Sequence, residues 1–281
     1  RRVYGSGYSL RPDIRLVGVL SGLEMACWDI IGKACDKPVY ELLGGQVHDR
    51  LRTYTYLYPA DGDVYPSDQG DQHIYVNADV AAQRALDYVE QGFTAVKFDP
   101  AGAYTVYDGG MPTLEELDRS ERFVTTIRAA VGDRADLLFG THGQFTAAGA
   151  LRLAKRLEAS DPLWFEEPTP PENSREMARV AAGTTIPVAT GERLCTKHEF
   201  ARVLQAGAAA ILQPNLGRVG GLLEAKKIAA LAEVYYAQIA PHLYCGPIVG
   251  AANIQLAACT PNFLILEGIE RWDGFHSELL N

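Results

Sequence analysis

The apolar positions of this chain follow two alternating rhythms. From Thr53 onward, short runs rich in β-branched and aromatic residues alternate with stretches whose apolar residues recur at helical spacing. That alternation predicts parallel βα units. Strands are expected near Arg52–Tyr58, Thr94–Asp99, Leu137–His142, Leu163–Glu167, Val188–Glu192, Ala210–Asn215, Gln238–His242 and Phe263–Glu267. Eight such strands are the number that closes a TIM-type (β/α) barrel, the α/β class predicted here. Between strands, Asp79–Gln91 reads as a helix closed by Gly92, and Thr113 with Glu116 and Thr196 with Glu199 predict capping boxes. Leu151, Leu153, Ala154 and Leu157 form an apolar stripe, while Arg152, Lys155 and Arg156 lie off it.

Before the first strand the pattern differs. Ser21–Lys33, followed by Pro38 and Leu42-Leu43-Gly44-Gly45, predicts two helices ahead of the barrel. Tyr58–Asn77 carries Pro59, Gly62, Pro66 and Gly70 with little periodicity and predicts a long loop after strand one. The domain reading is therefore residues 1–50 as a helical segment and residues 51–281 as the barrel.

Composition narrows the possible functions. Apolar residues make up 47% of the 281 and charged residues 22%, the balance of a globular domain with a core. With 35 acidic against 26 basic residues the formal charge is −9, which disfavours nucleic acid and anionic membrane surfaces as partners. Cys27, Cys35, Cys195, Cys245 and Cys259 are scattered and never spaced CxxC, which argues against a disulfide framework or a structural zinc and favours a reducing cytoplasm. No apolar run reaches the length of a bilayer span, the first residues lack the apolar stretch of a signal peptide, and the chain does not begin with Met, which suggests a trimmed N-terminus.

Candidate chemistry gathers at the predicted strand ends: Lys97 and Asp99, His142, Glu166 and Glu167, Glu192 with Arg193, Gln213 and Asn215, His242, and Glu267. In a parallel barrel these ends share one face. Any one of them could be a strand-end residue satisfied by solvent or a neighbour, but folding alone does not require so many in succession. Carboxylates such as Glu166 and Glu192 are hard oxygen ligands suited to magnesium. With a lysine and a histidine nearby, the cluster could remove the weakly acidic proton alpha to a metal-bound carboxylate.

These residues identify a resemblance that covers nearly the whole chain. Ala26-Cys27-Trp28-Asp29-Ile30-Ile31-Gly32-Lys33 with Leu43-Gly44-Gly45, Lys97-Phe98-Asp99, Trp164-Phe165-Glu166-Glu167-Pro168, Gly191-Glu192-Arg193, Gln213-Pro214-Asn215 and Pro241-His242 resemble the enolase superfamily in its mandelate racemase-like branch. Within that branch they look most like acid-sugar dehydratases of the galactonate dehydratase type. The spacing agrees: Gly140 to Glu166 and Glu166 to Glu192 are 26 residues each.

The resemblance implies a Mg2+ cofactor with Glu166 and Glu192 as ligands. The third ligand would be an aspartate where this chain has Gly140, and Asp99 is the candidate substitute, a salt bridge to a neighbouring lysine or arginine being the alternative for that residue. It implies His142 as the general acid that protonates the departing hydroxyl and His242 as the base. The partner of that base is Asn215, where relatives carry an aspartate. Lys97 matches the first lysine of a Lys-x-Lys motif, and Asp99 stands in place of the second, which disfavours a two-base racemase. Arg193, Glu267 and Gln213 are candidate substrate contacts, and Glu167 is read as structural because adjacent strand residues face opposite sides. His48, His73, His198 and His276 carry no motif, so surface or loop positions are expected. The family's β-rich cap is not in view: residues 1–50 read as a remnant of its helices, and the chain stops soon after strand eight.

The implied function is dehydration of an aldonic or aldaric acid to a 2-keto-3-deoxy acid by a homo-oligomeric enzyme acting on a small sugar acid. Two alternatives stay open: a cycloisomerase or epimerase of the same superfamily, and a catalytically silent relative that binds sugar acids.

Overall fold

The computed structural model describes residues 13–59, 73–102, 107 and 109–269. The strands are β1 (Thr53–Tyr56), β2 (Ala95–Phe98), β3 (Asp136–Gly140), β4 (Trp164–Glu166), β5 (Val188–Thr190), β6 (Ile211–Leu212), β7 (Gln238–Ile239) and β8 (Leu266–Gly268). The helices among the described residues are α1 (Ile14–Cys35), α2 (Val39–Leu42), α3 (Ala78–Glu90), α4 (Leu114–Val131), α5 (Ala147–Leu157), α6 (Ser174–Gly183), α7 (Thr196–Ala206), α8 (Leu222–Val234) and α9 (Pro247–Ala258). All eight expected strands are present, in the order β7-β6-β5-β4-β3-β2-β1-β8, and from β1 to β8 a helix separates each strand from the next. This is the strand-and-helix order of the (β/α) barrel class. None of the described helices is long and apolar enough to cross a membrane.

The chain folds as two compact bodies. One comprises residues 53–189 and 206–209, and the other residues 1–52, 190–205 and 210–281. In the first, β1 to β5 form a parallel ladder in which Lys97 pairs with Leu138 and Gly140 with Glu166. Leu137, Leu138, Phe139, Trp164 and Phe165 are buried, as expected of parallel strands covered on both faces. In the second, Ile211 pairs with Gln238 and Leu212 with Ile239. There Ile239 bridges to Phe263, and the Leu266 N–H donates to the Arg52 carbonyl at 2.9 Å.

Several strands stop short of their expected ends. The backbone turns out of the ladder at His142 (φ 50°), Glu167 (φ 39°) and Gly191 (φ 148°). A left-handed conformation cannot continue a strand, and at His142 and Glu167 it is held against the preference of an L side chain. The holding bonds are visible. The Thr141 hydroxyl donates to the carbonyls of Glu166 and Glu167 at 2.7 and 3.0 Å, and the Gly143 N–H donates to the Glu167 carbonyl at 2.7 Å.

Local sequence accounts for most helix ends. Thr113 and Glu116 form the expected capping box on α4. The second expected box does not form. Thr196 lies inside α7 with φ 60°, its hydroxyl has no hydrogen-bond partner, and Glu199 accepts the Cys195 N–H at 2.6 Å. One residue of backbone displacement moved the carboxylate to a different donor. The long loop expected over 58–77 falls mostly outside the described residues. Its described end, however, folds inward: His73, expected at the surface or in a loop, is 3% exposed and stacks edge-on to Tyr75 at 4.8 Å. His48 is half-buried and bonds to the Thr260 carbonyl, His198 is exposed, and His276 lies outside the described residues.

Helix α1 is longer than expected and has a second task. Helix α8 begins at Gly221, which has no side chain to cap it. Glu24 of α1 supplies the cap, accepting the Leu222 and Leu223 N–H groups at 2.7 and 3.0 Å while also accepting the Trp28 indole N–H at 2.7 Å. Glycine at 221 is required, because a Cβ there would lie 2.0 Å from Glu24 Oε2.

Candidate active site

In the body that carries β1 to β5, the strand-end residues Lys97, Asp99 and Glu166 are all buried. Lys97 Nζ meets Glu166 Oε1 at 2.7 Å, with side chains only 2% and 1% exposed. The other Glu166 oxygen accepts the Trp164 indole N–H at 3.2 Å, since residues two apart on a strand share a face. Gly140 makes the lysine's path possible. A Cβ at 140 would lie 2.8 Å from Lys97 Cε.

Asp99 sits beside this pair. One oxygen accepts the Ala101 N–H at 3.0 Å and the other the Gln144 side-chain amide at 3.2 Å, with His142 Nδ1 4.0 Å away. Burial is the main cause that pushes the Asp99 carboxyl well above the usual carboxylate range; the charge of Glu166 adds to it, while the Ala101 and Gln144 bonds and Lys97 oppose it. The same surroundings act on Tyr56, whose phenol is raised well above its ordinary value by burial first and then by Asp99. Asp99, Glu166 and Lys97 thus form one buried charged cluster. Gln144, adjacent to the noted Gly140–Gly143 stretch, had no expected role; as a buried amide beside a strand-end acid it could have been suspected.

In the other body, His242 is 5% exposed and its Nε2 lies 3.2 Å from Glu192 Oε2 and 3.9 Å from Glu267 Oε2. Glu267 also accepts the Leu243 N–H at 2.7 Å. Asn215, fully buried, places its side-chain nitrogen 2.8 Å from His242 Nδ1. Gln213 is fully buried and Arg193 half-buried. Glu167, in the first body, is fully buried as well. Sequence reasoning passed over Cys245, whose Sγ lies 3.4 Å from the Asn215 amide nitrogen.

The donor chemistry suits a hard divalent cation: buried carboxylates stand at strand ends in each body, Asp99 and Glu166 in one and Glu192 and Glu267 in the other. Among the described residues, no group of three or more His, Cys, Asp or Glu side chains is already arranged around one metal position.

Fold and residues together define a (β/α) barrel-class scaffold of the enolase type. The chain belongs to the enolase C-terminal domain-like family, whose model matches residues 80–281. It is 37% identical over 257 residues to D-xylonate dehydratase of Haloferax volcanii, covering 90% of this chain and 59% of that protein. It is 38% identical over 241 residues to D-galactonate dehydratase of Ralstonia nicotianae, covering 86% and 58%. The chain thus spans less than two thirds of the length of these curated relatives. Among solved structures, a mandelate racemase/muconate lactonizing enzyme from Labrenzia alexandrii is 69% identical with a TM-score of 0.91, covering 99% of this chain and 69% of that one. A mandelate racemase/muconate lactonizing enzyme-like protein from a Roseovarius species is 57% identical, also with a TM-score of 0.91, covering 99% and 68%.

Proposed function

We propose that this chain carries the catalytic chemistry of a magnesium-dependent dehydratase of an aldonic or aldaric acid. The proton on C2 passes to a base, His242 or else Lys97, the C3 hydroxyl leaves as water with a proton from His142, and the enol product rearranges to a 2-keto-3-deoxy acid. The observation that carries the reading is the buried strand-end cluster of Asp99, Glu166 and Lys97, in which the lysine meets Glu166 at 2.7 Å. Buried carboxylates are costly unless cations or hydrogen-bond donors meet them, and a divalent cation is a suitable one. Relatives named for xylonate and galactonate dehydration support the substrate class.

Glu166 and Glu192, with Asp99 as the third candidate, would hold Mg2+. When bound, the ion would act as a Lewis acid on the substrate carboxylate and so lower the cost of losing the C2 proton. Lys97 supplies fixed positive charge beside Glu166. His142, about a quarter exposed, is the acid that delivers a proton to the departing hydroxyl. Arg193, Gln213 and Glu267 are the proposed contacts that orient the sugar acid.

The test is to incubate the full chain and its Glu166→Gln variant with xylonate, galactonate and gluconate in the presence of magnesium and to measure 2-keto acid. Turnover of at least one of these by the parent, lost in the variant, is expected. Absence of 2-keto acid from the whole panel would overturn the reading. Titration calorimetry should show weaker magnesium binding in Glu192→Gln, and unchanged affinity would remove Glu192 from the ligand set.

A further inference from the structure

We infer that Asn215 fixes the tautomer of His242, so that the neutral ring carries its proton on Nε2 and has no lone pair there with which to take the C2 proton at rest. The geometry needed lies wholly within one body. Strands β6 and β7 pair with an offset of 27 residues, as in Ile211 with Gln238, and the same offset relates Asn215 to His242 beyond the strand ends.

A side-chain amide could present either its oxygen or its nitrogen to an imidazole, and the choice decides the tautomer. Here it is decided by a third group. The Gly217 N–H points at the Asn215 amide at 2.9 Å. A backbone N–H can only donate, so the atom it meets is the oxygen, Oδ1. The NH2 group therefore faces His242 Nδ1 at 2.8 Å. An amide nitrogen can only donate, so Nδ1 must accept and carries no proton. In a neutral imidazole the proton is then on Nε2, directed to Glu192 Oε2 at 3.2 Å.

The rest of the environment holds the amide in this orientation. Cys245 Sγ lies 3.4 Å from the amide nitrogen, which donates to it, and 3.6 Å from the oxygen, to which its thiol can donate, so it is compatible with this orientation while Gly217 decides it. Asn215 is fully buried, and reversing the amide would set its oxygen against the ring and its nitrogen against the Gly217 N–H, leaving buried donors opposed. The backbone of His242 is fixed as well: its carbonyl accepts the Asn253 amide at 3.2 Å.

A carboxylate at 215 would act in the opposite sense. It would accept a hydrogen bond from Nδ1–H and so leave the Nε2 lone pair free. With asparagine, the base role that the resemblance assigns to His242 is blocked in the resting state. The tautomer itself stands on the hydrogen bonds; its meaning for catalysis rests on the dehydratase reading.

The experiment is long-range proton–nitrogen NMR on protein labelled with nitrogen-15 histidine, at about pH 9, above the ordinary imidazole pKa of about 6.5. His242→Gln identifies the signal. We expect a pyridine-type Nδ1 and a pyrrole-type Nε2 in the parent, with and without magnesium, and the reverse in Asn215→Asp. A pyrrole-type Nδ1 in the parent overturns the inference, and this measurement needs no variant at position 215 to fold. In deuterated water with an acid sugar that is turned over, Asn215→Asp should raise C2 proton exchange at least tenfold. A drop in exchange in a folded Asn215→Asp protein would overturn the catalytic meaning. If no acid sugar is turned over while the parent tautomer is as stated, the dehydratase reading falls and the tautomer assignment stands.

Discussion

Lys97 and Gly140 are coupled through a single steric contact: the lysine's Cε occupies the position 2.8 Å from where a Cβ at residue 140 would project. This lets the ammonium reach Glu166 at 2.7 Å in an interior where both side chains are almost fully buried. The strand pairing that sets Gly140 beside Glu166 puts the missing side chain where the lysine needs space. The glycine therefore has a packing reason independent of any metal.

Gly140→Ala should destabilise the fold by about 1–3 kcal/mol in urea denaturation, because the lysine must leave its path or the strand must shift. Lys97→Ala should cost more, about 3–5 kcal/mol, since it removes one partner of a buried ion pair. The two effects should not add. With the lysine truncated, the alanine at 140 keeps only an ordinary contact with the Tyr56 ring at 3.7 Å, and a double-variant cost equal to the sum would contradict the contact.

The cap provided by Glu24 predicts a local effect at the start of α8. Glu24→Ala should lose about 1–2 kcal/mol and speed amide hydrogen exchange at Leu222 and Leu223, the two donors it satisfies. Gly221→Ala should be worse, since the residue has φ 87° and no space for a Cβ. Unchanged exchange at both leucine amides in Glu24→Ala would show that the cap is not what holds this helix end.

Arg128 predicts a defect that a charge-conserving change does not repair. Its guanidinium donates to the carbonyls of Ser160, Gly132, Ala135 and Asp161 at 2.9–3.2 Å, joining the turn after α4 to the turn after α5. Lysine has one nitrogen and cannot reproduce this fork. Arg128→Lys should lower stability by about 1–3 kcal/mol, and a thermal midpoint equal to the parent's would refute the bracing role.

The thiols should divide by burial. All five are free, with Cys27 and Cys35 exposed and Cys195 and Cys259 buried. Burial, followed by the charge of Glu199, pushes the Cys195 thiol up to about 11. At neutral pH a thiol-alkylating reagent followed by mass spectrometry should modify Cys27 and Cys35 and spare Cys195. Because the folded thiol holds its proton more tightly than an unfolded one, its contribution to stability is complete below the ordinary thiol range of about 9 and is lost as pH rises through about 11. Fast modification of Cys195 in the native protein at neutral pH would contradict its placement.

Periodicity and strand-end chemistry were enough to read the alternation of strands and helices, the existence of all eight strands, and the identity of Lys97, Asp99, Glu166, Glu192, Asn215 and His242 as residues worth comparing. Those features are local: side-chain period, apolar runs and turn residues are written along the chain. Other features depend on where distant segments meet. That Gly140 clears the path of Lys97, that Glu24 caps a helix almost two hundred residues away, and that the Gly217 N–H chooses which end of the Asn215 amide faces His242 all need atoms placed within about 3 Å of one another. Hydrogen-bond direction and steric exclusion act only at such distances. Sequence alone thus determined which residue types arrive at the strand ends, and tertiary contact decided which atoms accept, which donate, and where a proton rests.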